Sequence, residues 1–399
     1  MITSDMMMNF RIPILFYAGY KLYDESFFNQ LPYICAYGIL GKAVNIVLSS
    51  IITKYLLLSI LDIDITFSQM TTFGCVANIV ESLNVFSFLK KTSNKNFYLL
   101  YGSYIIGNAT AVDVFNASVK IAHLQTVHVS AQTYLLLGLK PIVDAVSGLI
   151  IGSLVALLSA VIVRVSYRPA GCKDTDLSDV ILIISSTCFV YFFTSLIRIS
   201  SLFGVFACCL VQKRYLFCNL SEWSANFFKN TMEPLSFCME QLFLIFIGYK
   251  LLSVDLESVY KFCLIALGAS YSAKGLMILI VSMVINLWKK SPVKTQMQGL
   301  LVFGGVRGAR AYPLIVAYIG PFSRTFQDTI IVMIVFSVLI DNIITNLLVR
   351  MLKGGLRNPE VEDKEIHMVP QRLEKMNNDF FAWMRKKEMN LYQLFKIAD

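Results

Sequence analysis

Phe303-Gly-Gly-Val-Arg-Gly-Ala-Arg-Ala-Tyr312 lies inside an apolar segment, 300–319, long enough to cross a bilayer. Three glycines and two arginines interrupt it. Arginine in hydrocarbon costs about 2.5–3.5 kcal/mol on insertion scales, and glycine loses the most backbone entropy in a helix. A segment that tolerates both is expected to break at mid-membrane and to face a polar cavity. Membrane transporters build ion sites from such breaks, usually in corresponding places of two repeats. Phe73-Gly-Cys-Val-Ala-Asn-Ile-Val-Glu-Ser82 is the matching stretch: it opens on the same Phe-Gly and then sets Asn78 and Glu81 inside an apolar run. The glycines concerned are Gly74, Gly304, Gly305 and Gly308; small residues also serve simple close packing of helices.

The composition agrees with a membrane setting. Of 399 residues 56% are hydrophobic and 15% charged, against about 25% charged in an average soluble domain. The chain is therefore read as an integral protein of the lipid bilayer. Its formal charge of +9 sits mostly in short loops and in the tail, so it signals no nucleic-acid partner. Nine cysteines are scattered without metal-ligand spacing, and three histidines are too dispersed for a metal or acid–base centre. No phosphate loop and no nucleophile with a base is visible, which argues against a soluble enzyme, and no cofactor is expected. No signal peptide is evident.

Eleven apolar segments are candidates for spans, near 10–21, 31–60, 67–89, 97–119, 143–163, 177–195, 198–212, 235–252, 258–288, 298–319 and 328–351. The first and the seventh are short and need tertiary support, a tilt or a re-entrant path. Lys and Arg collect in alternate loops: Lys90, Lys91 and Lys95; Arg164, Arg168 and Lys173; Lys213 and Arg214; Lys289, Lys290 and Lys294; and the tail after Arg350. By the positive-inside rule these face the cytoplasm, which puts the N-terminus outside and the C-terminus inside. The broken segments then run in opposite senses, as an inverted repeat requires. Residues 219–232 read as an interfacial helix carrying Trp223, Phe227 and Phe228. A membrane domain over 1–353 is followed by a cytoplasmic tail, 354–399. There Leu373, Met376, Phe380 and Trp383 recur at helical spacing among basic residues, as in a basic amphipathic helix.

Ionisable residues at membrane depth are functional candidates by default. They are Lys42, Glu81, Asp113, Asp144, Glu240, Lys274, Arg307, Arg310 and Asp341. Arg307 is the natural partner for Glu240, either as a structural ion pair or as a pair shaping an ion cavity. Lys274 and Asp341 suit polar helix packing, and Lys42, Asp144 and Arg310 lie where snorkelling or packing suffices. Asp113 and Glu81 are the acids available to a proton-coupled process in the first half.

At these residues the chain resembles a eukaryotic sodium/proton exchanger of the monovalent cation:proton antiporter family. Ile12-Pro-Ile-Leu-Phe-Tyr-Ala-Gly-Tyr-Lys-Leu22 is similar to the family's P-P-I-I-F-x-A-G-Y-x-L stretch, and Glu240-Gln-Leu-Phe-Leu-Ile-Phe-Ile-Gly248 to its E-x-x-I-F-x-x-x-G helix. Gly304-Gly-Val-Arg-Gly-Ala309 resembles its G-G-L-R-G-A signature, and Lys274 falls where the family often has arginine. The resemblance covers about 12–353. It implies an all-α polytopic fold with two inverted repeats and crossed discontinuous helices, a homodimer, and Na+ or K+ and H+ as substrates. It also implies an essential role for Arg307. Two departures bear on mechanism. The family's Asp-Pro in the first broken helix is matched by Asn78-Ile79, and the Asn-Asp of the next helix, whose aspartate is the carrier, by Gly107-Asn108. Asparagine neither holds nor releases a proton. Glu81 lies about 300° on from Asn78 on a helix, hence on nearly the same face, and is the preferred substitute; Asp113 lies about 140° round from Asn108 and would need local unwinding. The family also carries about two spans before its Pro-Pro stretch, so an N-terminally short or diverged member is expected.

The expected function is exchange of Na+ or K+ for H+ by alternating access, with Asn78, Glu81, Asn108 and Asp113 lining the ion cavity, Arg307 offsetting the helix ends and Glu240 fixing Arg307. It would take place in a plasma membrane or an internal membrane. A transport-inactive homologue acting as a scaffold or regulatory subunit, and an uncoupled cation channel, are the rival readings.

Overall fold

The computed structural model describes residues 9, 11–22, 25–81, 94–124, 131–165, 173–217, 220, 222–288 and 295–356. The chain divides into two compact units, Met1–Leu348 and Val349–Asp399, and the site lies in the first. The expected tail helix, Asn219 and loop residues Lys90, Lys91, Arg168, Lys289, Lys290 and Lys294 fall outside the described residues.

Each of the eleven expected apolar segments contains helix among its described residues; in 67–89 the helix ends at Ala77, and 82–89 lie outside the described residues. In chain order they are α1 (Arg11–Leu22), α2 (Glu25–Cys35), α3 (Lys42–Leu61), α4 (Phe67–Ala77), α5 (Asn94–Leu124), α6 (Ala131–Val165), α7 (Lys173–Ile197), α8 (Ser201–Val211), α9 (Glu222–Leu251), α10 (Leu256–Trp288), α11 (Thr295–Phe303), α12 (Tyr312–Val316) and α13 (Ser323–Leu356). A π-helical turn, Ala36–Gly41, joins α2 to α3, and together they form one crossing. Among the described residues six helical stretches are long and apolar enough to span a bilayer: Phe27–Leu61, Leu136–Val165, Leu177–Ile197, Trp223–Leu251, Val259–Leu287 and Ser323–Thr345. Their outward faces carry Leu, Ile, Val and Phe, the chemistry a lipid environment favours. The fold is the all-α polytopic one the sequence implies.

Among the described residues two apolar cores organise these helices. The first joins α3, α4, α5, α10, α12 and α13 through residues such as Ile46, Phe73, Phe115, Phe262, Ile315 and Phe326. The second joins α6, α7 and α8 through Ala156, Ile183, Val190, Val205 and Cys208. α1 and α9 feed both: Ile14 and Phe243 enter the first, Phe16 and Phe228 the second. Short α8 is the case that needed support. Leu202 through Cys209 are all buried, so protein rather than lipid surrounds it. Glycine makes that possible. A Cβ on Gly152 would lie 2.0 Å from the Gly204 carbonyl oxygen, so α6 and α8 touch backbone to backbone.

One expectation is corrected here. Residues 222–232 form no separate interfacial helix but the first turns of the 30-residue α9. Phe228 and Met232 are buried in the second core, and Phe228 packs edge-on against Phe16 and Phe217. Aromatic anchors for a membrane surface and aromatic wedges for a core are the same residue types in a sequence.

Candidate functional site

α4 is started deliberately and stopped by its own side chains. Thr66 and Gln69 form a capping box at its N-terminus. At the other end Asn78 leaves helical geometry, with φ −99°. Its amide nitrogen donates to Gly74 O and Ser49 Oγ, both at 2.8 Å, and its carbonyl oxygen accepts from Asn45 Nδ2 at 3.1 Å. The chain then runs extended through β1 (Val80–Glu81). α11 breaks likewise at Phe303 and runs extended through β2 (Val306–Arg307), then a 3-10 turn, Ala309–Ala311, and α12.

β1 and β2 pair antiparallel, Val80 opposite Arg307 and Glu81 opposite Val306. The two broken segments therefore cross at their breaks. Two glycines permit the approach. A Cβ on Gly305 would fall 1.9 Å from Val80 Cγ1, and one on Gly308 2.5 Å from Glu81 Oε1. A side chain at 305 would displace Val80, and one at 308 would push the Glu81 carboxylate away from Arg310. Gly74 does the same between α4 and α3, where a Cβ would meet Ser50 Oγ at 2.5 Å, and Gly304 packs against the Leu300 carbonyl.

The ribbon's other edge is closed by Asn108 on α5. Its Oδ1 accepts from Val80 N at 3.1 Å and its Nδ2 donates to Val80 O at 2.6 Å. The side-chain amide thus stands in for a third strand. Aspartate here could accept but, when ionised, not donate.

Three buried cations surround the crossing. Arg307 donates through Nη1 to the Ala77 carbonyl, the orphan end of α4, and through Nη2 to Ser270 Oγ, and lies 5.1 Å from the Tyr271 ring centre. Its backbone N–H donates to Ser337 Oγ at 2.7 Å, which in turn donates to Asp341 Oδ2 at 2.5 Å. Tyr271 donates to Asp341 Oδ1. Lys42 donates to the Asn78 carbonyl, and Lys274 sits 5.5 Å from the Tyr104 ring centre.

The acids are arranged differently from expectation. Glu81 does not stand free: Arg310 Nε donates to its Oε1 at 2.6 Å, and Arg310 N at 3.2 Å. Arg11 in turn donates to the Arg310 carbonyl. Glu240, half-buried on α9, does not pair with Arg307; the arginine whose charge reaches it is Arg310. The extended step at 306–307 followed by a tight turn sends residues 307 and 310 to different neighbours, so Arg307 faces α4 and α10 while Arg310 faces Glu81 and α9. Asp113 lies away from the ribbon. α5 stays helical throughout, so Asp113 turns toward Ser200, at the start of α8, and Asp144 on α6. Asp144 is itself paired with Lys140 at 3.3 Å. Asp113 is 6% exposed, and neither its Oδ2 nor Ser200 Oγ has a hydrogen-bond partner among the described residues.

Sequence reasoning left Lys42 and Arg310 to snorkelling or packing and did not single out Arg11. The signal for Lys42 was present: the α2–α3 crossing covers Phe27–Leu61, so its lysine lies too deep for easy snorkelling.

The model of the transmembrane sodium/hydrogen exchanger family matches residues 1–351 of this chain. The chain is 24% identical over 373 residues to sodium/hydrogen exchanger 2 of Oryctolagus cuniculus, covering 89% of this chain and 44% of that protein. It is 24% identical over 378 residues to an uncharacterized Na+/H+ antiporter of Schizosaccharomyces pombe, covering 90% and 64%. The chain thus spans about half the length of such relatives. Among solved structures it is similar to the sodium proton antiporter MjNhaP1 of Methanocaldococcus jannaschii at pH 8, with a TM-score of 0.67, 16% identity and 88% of each chain covered, which is a likeness of fold.

Proposed function

Because the chain belongs to the sodium/hydrogen exchanger family, we propose that it exchanges a monovalent cation, Na+ or K+, for H+ by alternating access, with Asp113 as the carboxylate that cation and proton share. What supports this is the buried carboxylate of Asp113, which faces Ser200 and whose Oδ2 has no hydrogen-bond partner among the described residues. The other buried acids are engaged: Glu81 by Arg310, Asp341 by Tyr271 and Ser337. A dehydrated alkali cation wants oxygen ligands, and Asp113 and Ser200 offer them from opposite sides of the contact between α5 and α8. A cation held there would be exposed to one side or the other as the two cores shift against each other. One carboxylate cannot carry cation and proton together, and that competition is the coupling. In this reading Arg307, Asn78 and Asn108 keep the crossing rigid, and Glu240 helps fix Arg310. The chain works as a homodimer with its N-terminus outside and its C-terminus in the cytoplasm.

A second reading has one observation in its favour: the amides of Asn78 and Asn108 are consumed by backbone and neighbouring side chains, so the crossing offers no free carboxylate. A scaffold or regulatory subunit needs none. Purified chain in liposomes under an imposed pH gradient separates the readings. Exchange predicts that added Na+ or K+ dissipates the gradient. Cation flux without proton movement would mean a channel, and a folded protein with no flux a scaffold.

A further inference from the structure

We propose that the pocket at the helix crossing binds a small monovalent anion, of which chloride is the type, between Arg307 and Lys274. Three cations face this crossing: Lys42 is 7% exposed, Lys274 9% and Arg307 8%. One carboxylate opposes them, Asp341, and both its oxygens already accept hydrogen bonds from Tyr271 and Ser337. Glu81 is matched by Arg310 on the ribbon's other side. Among the described residues three basic side chains stand against one carboxylate where water is scarce, and a buried charge is kept only when it is paired; a bound anion is the counter-charge that would keep the lysines protonated.

Two donors remain on residues that line one cavity. Arg307 spends Nη1 and Nη2 on Ala77 and Ser270, but its buried Nε has no partner among the described residues. The Lys274 ammonium makes no hydrogen bond or ion pair with a described residue; its contact is the Tyr104 ring. Both side chains line a cavity with Asn78, Ser270, Tyr271 and Asp341, and that cavity holds roughly one water-sized body. Water there would leave the charge unmatched. A halide supplies the counter-charge, and the Lys274 stem would shift to admit it, since the cavity holds no more than a water. The same field disfavours Na+ or K+ at the crossing. The Asp341 carboxylate on the pocket wall selects for a small anion of low charge, since a divalent anion would face it at contact distance.

This site does not depend on exchange, and it is tested by a readout that needs none. Purified full chain in detergent, with gluconate as the background anion, is titrated with radiolabelled chloride. Saturable binding is expected, displaced by bromide and not by gluconate, and weakened about tenfold or more in Lys274→Met and in Arg307→Lys. Lys274→Met removes a buried charge and adds no polar group, so it should fold; elution on gel filtration checks this. Arg307→Lys keeps the charge and loses the Nε–H. Absence of saturable chloride binding by the wild-type chain, or binding unchanged in folded Lys274→Met, overturns the proposal.

Discussion

Asp113→Asn reduces cation-evoked dissipation of a pH gradient to the level of protein-free liposomes, while the protein still folds. The substitution is isosteric, so the contact with Ser200 and the packing of α5 on α8 survive. Stability should hold or rise, because a neutral amide is easier to bury than a carboxylate without a cation beside it. What disappears is chemistry: an amide has no proton to give up and no charge to balance a cation. Function and stability are thus expected to move apart, which a merely structural Asp113 would not allow. Asp113→Glu is the companion variant. It restores the charge on a longer stem and is expected to recover part of the flux. Full exchange by Asp113→Asn would place the carrier elsewhere, and the half-buried Glu240 beside Arg310 would then be the next acid to test.

Glu81→Gln is expected to be the most damaging single change to stability. Glu81 is buried, and its Oε1 accepts from both the side chain and the backbone of Arg310. Removing one partner of a buried pair costs about 3–5 kcal/mol when the other charge is left uncompensated, and less here by what Glu240 still offsets. Arg310 cannot shed its proton to escape this. The consequence spreads, because Arg310 also receives Arg11 on its carbonyl and lies in the turn that leads from β2 into α12. Thermal unfolding in detergent should show a clear fall in Tm for Glu81→Gln. The double variant Glu81→Gln/Arg310→Met should regain most of it, since it removes the stranded charge. An unchanged Tm in the single variant would mean that water or lipid headgroups already screen the pair.

Much of this architecture was legible in the residues. Glycines and arginines inside 300–319, and polar groups inside 67–89, marked the two breaks, because a membrane tolerates neither in an unbroken lipid-facing helix. Their meeting as an antiparallel ribbon follows from the opposed senses expected of inverted repeats. Side-chain partners were less legible, for reasons specific to each. Placing Glu81 by helical angle from Asn78 failed because the chain stops being helical at Asn78; Glu81 sits in a strand, where its neighbours are set by pairing with 306. Arg307 and Arg310 could not be told apart as partners for Glu240, since the answer turns on a 3-10 turn at 309–311 that no periodicity announces. For Asp113 the helical angle held, because α5 never unwinds. What it faces, Ser200, comes from another helix far along the chain, and such a contact has no trace in local sequence.

The resemblance implies aspartates where Asn78 and Asn108 stand, and in this chain both amides satisfy backbone or neighbouring side chains that an ionised aspartate could only half satisfy. Reversing Asn108 to Asp would therefore cost hydrogen bonding at Val80 before it restored any carrier. In the proposed scheme the crossing is a fixed structural element, and the transported cation is assigned to the neighbouring contact between the two cores.

Whether Asp113 is shared by cation and proton is tested most directly by proton release on binding, without a membrane. Sodium gluconate is added to purified chain in lightly buffered detergent solution, with a pH indicator present. Displacement of the Asp113 proton by Na+ predicts a saturable acidification from the wild-type chain and none from Asp113→Asn. Equal acidification from both, or none from a folded wild-type chain across neutral and acid pH, would contradict it.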